Sequence, residues 1–244
     1  MRSVGALILA AGGSTRFGQP KQLLRLEGET LVHRAVRAAS EGDCAPVIVV
    51  AGTIASEIAA DLRGTAAEVV QNDDWSRGLG TSIRCGVQHL VRCSPTSDAV
   101  LLLACDQPFV DAALISAILA ERVLTGREIV ASRYADTLGV PALFGRSCFA
   151  ALLSLPNESG AKGIIEADPS RVGAVPFPKG AIDLDTPADL AQLGSTGKSN
   201  SRETFAEWPG KFRRARGLFA SPPPRRRAAD WPLSSSGVPI DYEP

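Results

Sequence analysis

Apolar residues recur along the first 190 or so positions in two rhythms. Five short segments, 4–9, 46–51, 68–71, 99–104 and 128–132, are centred on uninterrupted apolar residues. Each has the length of a β-strand, and several are rich in β-branched side chains. Between them, apolar residues fall three and four apart. Leu31, Val32, Ala35, Val36 and Ala39 make one stripe, and Ile54, Ile58 and Leu62 a second. Ile83, Val87 and Leu90 make a third, and Leu114, Ile115, Ile118 and Leu119 a fourth. Those spacings place each set on one face of a helix. Strands alternating with helices predict an α/β layered fold with a largely parallel sheet. Strands apolar throughout, rather than at every second residue, fit a sheet covered by helices on both faces. Ligands in such sheets bind beyond the carboxyl ends of the strands. Chemistry is therefore sought at 10–21, 72–86 and 104–108, which follow strand segments. No internal repeat is evident.

The pattern breaks near Leu193. Residues 195–244 hold nine basic and five acidic residues, and seven prolines fall in the last thirty-six positions. A packed core there is not expected. The chain is read as one folded domain, 1–194, followed by a Pro/Arg-rich tail, 195–244, expected to be disordered. Trp208, Phe212, Phe219 and Trp231 leave open a second reading, a basic peptide that contacts a partner or folds over an anionic site.

Composition narrows the functional classes. The 244 residues are 45% hydrophobic, enough for one sizeable core, and 26 basic residues balance 26 acidic ones. That balance gives no argument for nucleic acid or for a membrane surface as partner. The five cysteines, Cys44, Cys85, Cys93, Cys105 and Cys148, show no CxxC spacing and are read as buried, reduced thiols. The two histidines, His33 and His89, fall on predicted helices and are read as structural or surface residues. The N-terminal MRSVGALILAAGG has an apolar core of only about seven residues, the lower limit for a signal peptide, and is read as a buried first strand. No segment reaches the ~20 apolar residues of a spanning helix, so a cytoplasmic location is expected.

The first strand runs into a glycine loop, LAAGGSTRFGQPKQLL, from Leu9 to Leu24. Gly12 and Gly13 permit close approach of a ligand to the backbone, and successive N–H groups in such a turn can surround an anion. Arg16 and Lys21 add positive charge, and a polyphosphate is the natural guest. Two phosphate-loop patterns fail. In GxxxxGK[ST], Gly13 and Gly18 have the right separation, but the lysine arrives late, at Lys21. The fingerprint GxGxxG is absent, and so is its acidic partner after the second strand.

The same sixteen residues resemble the signature LAAGxSxRMGxxKxLL of the nucleotidyltransferases that activate sugars, polyols and molybdopterin. Phe17 stands where methionine is usual, and every other fixed position agrees. Further on, Asn72, Trp75, Gly78, Ser82 and Gly86 match the family's second nucleotide loop, N-x2-W-x2-G-x3-S-x3-G. The stretch 101–108, LLLACDQP, resembles its metal-binding strand end. The stretches 139–144, 160–163 and 182–190 complete the likeness, which covers about 4–193. It lies nearest the molybdenum cofactor cytidylyltransferases, with the molybdopterin-guanine-dinucleotide synthases in the same family. The resemblance implies a Rossmann-like three-layer α/β/α domain on a mostly parallel, mixed sheet, of the nucleotide-diphospho-sugar transferase type.

The implied reaction transfers a nucleotide from an NTP to a phosphorylated acceptor and releases pyrophosphate. The acceptor phosphate is largely dianionic near neutrality, since its second pKa is about 6, so no strong general base is required. Positioning and charge carry such chemistry. On the resemblance, Arg16 holds the β- and γ-phosphates, Lys21 lies near the α-phosphate, and Leu9, Ala10, Ala11, Gly12 and Gly13 form the nucleotide floor. Asn72, Gly80 and Ser82 complete the nucleotide site. Asp106 ends an apolar strand and is the first ligand expected for Mg²⁺, with Mn²⁺ as a substitute; Asp185 is the second by analogy, and Asp183 is not separable from it. In the family it resembles, Leu-Ala-Ala-Gly goes with CTP and Leu-Ala-Gly-Gly with GTP, so Leu9-Ala10-Ala11-Gly12 implies CTP; a methyl at Ala11 narrowing the floor under a purine is the modest steric basis. Molybdopterin is the expected acceptor, and its cytosine dinucleotide the product, handed to a molybdenum hydroxylase or its chaperone.

Plainer readings stand beside these. Arg16, Lys21 and Lys162 could be solvated charges, Asp106 could shape a turn before Gln107-Pro108, and Asp185 or Thr186 could cap a helix. Trp75 could serve only packing, and Ser82 only helix initiation. GTP or another NTP, a sugar or polyol phosphate as acceptor, and a catalytically silent delivery module are the alternative functions.

Overall fold

The first apolar run becomes β1 (Val4–Ala10), and its neighbours in the sheet are built from the other runs. The computed structural model describes residues 3–13 and 20–182. Arg16, Asp183, Asp185 and the tail 195–244 lie outside the described residues. After β1, a two-residue pair, β2 (Arg25–Leu26) and β3 (Glu29–Thr30), leads into α1 (Leu31–Glu41). Then come β4 (Val47–Ala51), α2 (Ala55–Asp61), β5 (Glu68–Gln71), α3 (Leu79–Cys93) and β6 (Ala99–Ala104). The second half holds α4 (Ala112–Thr125), β7 (Ile129–Tyr134), β8 (Thr137–Gly145), α5 (Phe149–Leu153), α6 (Lys162–Ala167) and β9 (Val172–Pro176).

Among the described residues, seven strands form one sheet in the order β5-β4-β1-β6-β8-β7-β9. Only β8 runs against its neighbours; the other pairings are parallel. Alternation along each strand sends successive side chains to opposite faces. On one face, Ala6, Ile8, Val49, Leu101 and Leu103 pack with Val32 and Val36 of α1, Ile58 of α2 and Ile115 and Ile118 of α4. On the other, Leu7, Ile48, Val50 and Leu102 pack with Ile83, Val87 and Leu90 of α3, Leu152 of α5 and Ile165 of α6. The result is the expected three-layer α/β/α sandwich on a mostly parallel, mixed sheet. The helix stripes read from the sequence fall on the inward faces of α1, α2, α3 and α4, with Ile54 and Leu119 only partly buried and Ile54 and Leu62 flanking α2.

Two features depart from the apolar pattern. β7 extends to Tyr134 and turns into β8 through Ala135 and Asp136, both with positive φ (46° and 60°). Such a two-residue turn is usually signalled by Asn-Gly or Asp-Gly, and neither is present here. β9 is a short, half-buried outer strand whose Val-Gly-Ala-Val-Pro run carries little periodicity. No described helix is long and apolar enough to cross a membrane.

Candidate active site

β1 and β6 lie side by side with Leu9 opposite Ala104, so the segments that leave them start together. One is the glycine loop; the other is Cys105-Asp106-Gln107. Pro20 opens a single 3-10 turn, Lys21–Leu23, which carries Lys21 back toward the strand ends. Its Nζ donates to Asp106 Oδ2 at 2.6 Å, and the two side chains are only 17% and 25% exposed. Next to Lys21, Gln22 is buried, and its Nε2 donates to Ala10 O at 2.8 Å and Gly12 O at 2.7 Å. These bonds hold the start of the glycine loop from beneath. The sequence reading passed over Gln22 because it occupies a variable position of the motif.

The second loop is organised around Asn72. Its side chain is buried; Nδ2 donates to Thr81 Oγ1 (2.9 Å) and Ser82 Oγ (3.0 Å), and Oδ1 accepts from Asp74 N (3.1 Å). The Asp74 contact is an Asx turn. Thr81 Oγ1 in turn donates to Gly78 O at 2.7 Å. Gly78 has φ +123°, which a side chain rarely adopts. Gly80 N donates to Asn157 O at 2.8 Å, and a Cβ on Gly80 would stand 2.0 Å from Pro156 O. Arg84 fastens the 155–157 segment here, bonding Leu155 O and, at 2.6 Å, Asn157 Oδ1.

Between the loops lies a cleft of ≈420 Å³. Leu9, Ala11, Gly12 and Gly13 line it from the first loop, and Trp75, Ser76, Gly78, Leu79, Ser82 and Ile83 from the second. Leu102, Ala104 and Asp106 form the β6 side, with Val140 and Ala161 at the remaining wall. A Cβ on Gly12 would meet none of the described residues within 4 Å, so among them the loop presents bare backbone to open space. Of the residues expected at the site, Leu9, Ala11, Gly12, Gly13, Ser82 and Asp106 line the cleft, and Lys21 is bonded to Asp106. Ala10, Asn72 and Gly80 are buried behind the lining. Lys162 is exposed and pairs with Glu166 at 3.6 Å; it is not itself a lining residue, though its neighbour Ala161 is. Trp75 both lines the cleft and packs on Gly52, where a Cβ would fall 3.0 Å from its ring.

Two further groups frame the Asp106 corner. Burial and the adjacent Asp106 hold the Cys105 thiol well above its ordinary pKa, so it stays protonated and is no nucleophile. Buried Gln107 donates through Nε2 to Val140 O and Gly180 O, both at 3.2 Å, tying β8 to the segment after β9. Its Oε1 is buried without a hydrogen-bond partner among the described residues. The donor chemistry at Asp106 suits a hard divalent cation. A carboxylate already held against an ammonium at the mouth of a cleft is in a position that accommodates positive charge. Open backbone, a lysine and that carboxylate together can hold a polyanion with its counter-ion.

Residues 6–172 match the MobA-like NTP transferase domain family. The chain belongs to that family. Among curated relatives of this MobA-like chain, nicotine blue oxidoreductase of Paenarthrobacter nicotinovorans is 35% identical over 106 residues, covering 43% of this chain and 50% of the relative. A probable molybdenum cofactor guanylyltransferase of Opitutus terrae is 34% identical over 113 residues, 46% of this chain and 52% of the relative. The chain thus spans about half the length of these two relatives. Among solved structures, that of Rv0371c from Mycobacterium tuberculosis H37Rv is 29% identical with a TM-score of 0.66, covering 80% of this chain and all (100%) of the other. A second structure of Rv0371c is a complex with manganese, 28% identical with a TM-score of 0.60, over 80% of this chain and 99% of the other. The MobA-like domain here has the nucleotide-diphospho-sugar transferase fold.

Proposed function

We propose that this chain is a cytidylyltransferase that moves CMP from CTP to the phosphate of molybdopterin, releasing pyrophosphate and giving the cytosine dinucleotide. The observation that carries the reading is the Lys21–Asp106 pair set against the open backbone of Gly12. The backbone of Ala11, Gly12 and Gly13 supports the triphosphate. Lys21 moves from Asp106 to the α-phosphate, and Arg16 holds the β- and γ-phosphates. Asp106 then holds Mg²⁺, or Mn²⁺ in its place, with Asp185 or Asp183 as the second carboxylate on the family resemblance. An ion held there would supply positive charge to offset that of the phosphates. The acceptor's dianionic phosphate attacks in line, and no protein base is needed. Ser82 faces the base, while Asn72 and Gly80 act through the shape they impose on the second loop.

Ala11 in the lining supports CTP, since its methyl narrows the floor beneath the base. Discrimination of that kind is worth about 1–3 kcal/mol. The guanylyltransferase named among the relatives favours a second reading, the same reaction with GTP. Handover of the product to a molybdenum hydroxylase or its chaperone follows from the labile product, and it belongs to the proposal together with the cytoplasmic location.

The test is the mass of the product formed by the full chain from molybdopterin with CTP or GTP in Mg²⁺. A cytosine dinucleotide with CTP and no product with GTP is expected. A guanine dinucleotide selects the second reading. Turnover with a sugar or polyol phosphate but not with molybdopterin overturns the acceptor. Nucleotide binding without pyrophosphate release makes the protein a delivery module.

A further inference from the structure

At the far end of the sheet from the cleft, three side chains converge that the transferase chemistry does not use. Glu68 is the first residue of β5, an outer strand of the sheet. His89 and Cys93 lie four apart on the last turns of α3, and so on one face of it. His89 Nε2 is 2.7 Å from Glu68 Oε2, and one ligand atom from each of Glu68, His89 and Cys93 lies within 4.8 Å of the others. All three reach solvent.

We propose that Glu68, His89 and Cys93 bind a thiophilic divalent cation of the zinc class, with solvent in the remaining position. Imidazole, thiolate and carboxylate are the donors such an ion selects, and a thiolate disfavours magnesium. Around one tetrahedral ion these atoms stand roughly 3.5 Å apart. Side-chain rotation suffices: the Glu68–His89 contact opens slightly and Cys93 draws inward. Cys85, eight residues before Cys93, is about 12 Å away along the helix axis and takes no part. Its Sγ lies instead 3.9 Å from Gln71 O. Cys44, Cys105 and Cys148 are buried elsewhere, and His33 of α1 bonds Glu29 of β3. The sequence suggests buried, reduced cysteines and structural or surface histidines. It shows no CxxC, whereas the spacing here is His-x3-Cys on a helix, completed by a strand 21 residues upstream of the histidine.

The ion would fasten an outer strand to the end of the helix whose first turns line the cleft. The experiment titrates the reduced full-length protein with Co²⁺ in excess Mg²⁺, which fills oxygen-donor sites. One equivalent should give thiolate-to-cobalt charge-transfer absorption, bleached by one equivalent of Zn²⁺. Cys93→Ser should abolish the band, and Glu68→Gln or His89→Ala should weaken cobalt binding at least tenfold. In the unsubstituted protein, Zn²⁺ should slow alkylation of Cys93 and leave Cys85 unchanged, a measurement that needs no variant to fold. Absence of the band, its persistence in Cys93→Ser, or equal labelling of Cys93 with and without Zn²⁺ overturns the site. None of these readouts depends on nucleotide transfer.

Discussion

The ammonium of Lys21 and the carboxylate of Asp106 meet at 2.6 Å although 85 positions separate them in the chain. Each charge offsets the other; on the proposed function, phosphate would take over Lys21 and a divalent cation would take over Asp106. Asp106→Asn should cut pyrophosphate release by about 100-fold or more, the scale of losing a preorganised electrostatic group. Lys21→Ala should act in the same direction. Unfolding in urea should shift by no more than about 1–3 kcal/mol for either, the cost of leaving one partner unmatched. Pyrophosphate release at saturating nucleotide, measured beside the urea midpoint, checks both.

Gly12 and Gly80 separate ligand space from packing space. Gly12→Ala places a methyl in open cleft, so stability should hold while KM for the nucleotide rises. Gly80→Ala drives a methyl into Pro156 O and should destabilise the fold by about 1–3 kcal/mol. Urea unfolding of both variants, with nucleotide kinetics on Gly12→Ala, checks the contrast. An unchanged KM for Gly12→Ala removes the glycine from the binding floor.

Gln22 is the inner support of the loop. Gln22→Leu keeps the volume but leaves Ala10 O and Gly12 O without their donor. It should cost about 1–3 kcal/mol and raise the nucleotide KM together with it. Amide hydrogen exchange over 10–13 should quicken in the same variant.

The thiols should divide by burial. Burial pushes Cys44 up to about 12, with Asp43 adding to it, and burial with Asp106 raises Cys105 further. Both are therefore protonated at neutral pH, and the thiolate is the reactive form. In metal-free native protein, iodoacetamide should modify Cys93 first and Cys85 second, faster as pH rises toward their own raised pKa values. Cys44, Cys105 and Cys148 should react only after unfolding. Peptide mass mapping at two pH values reads the order.

Much of this architecture was legible in one dimension. Strand runs and helix stripes are consequences of burial on two faces, and a side chain's affinity for water does not depend on knowing its neighbour. The β7–β8 hairpin was less legible because Ala135-Asp136 takes a backbone shape its residue types do not advertise. At the site, Leu9, Gly12, Ser82 and Asp106 stand where motif spacing suggests, near strand ends or the first turns of a helix. Asn72 matches the motif equally well, yet its side chain is turned inward to hold the loop, and Gly80, at a variable position of the motif, is packed against Pro156 O. A motif records which residues are required and is silent on whether ligand or protein requires them.

The sequence by itself determined the layering, the buried helix faces and the loops that carry polar chemistry, because these follow from local spacing and from the cost of wetting apolar surface. Only the tertiary structure decided that Lys21 bonds Asp106, that Gln22 supports the glycine loop, that the 155–157 segment covers Gly80, and that Glu68 meets His89 and Cys93. Those are contacts between distant parts of the chain. Their partners are chosen by strand order and helix placement, which no short stretch of residues encodes.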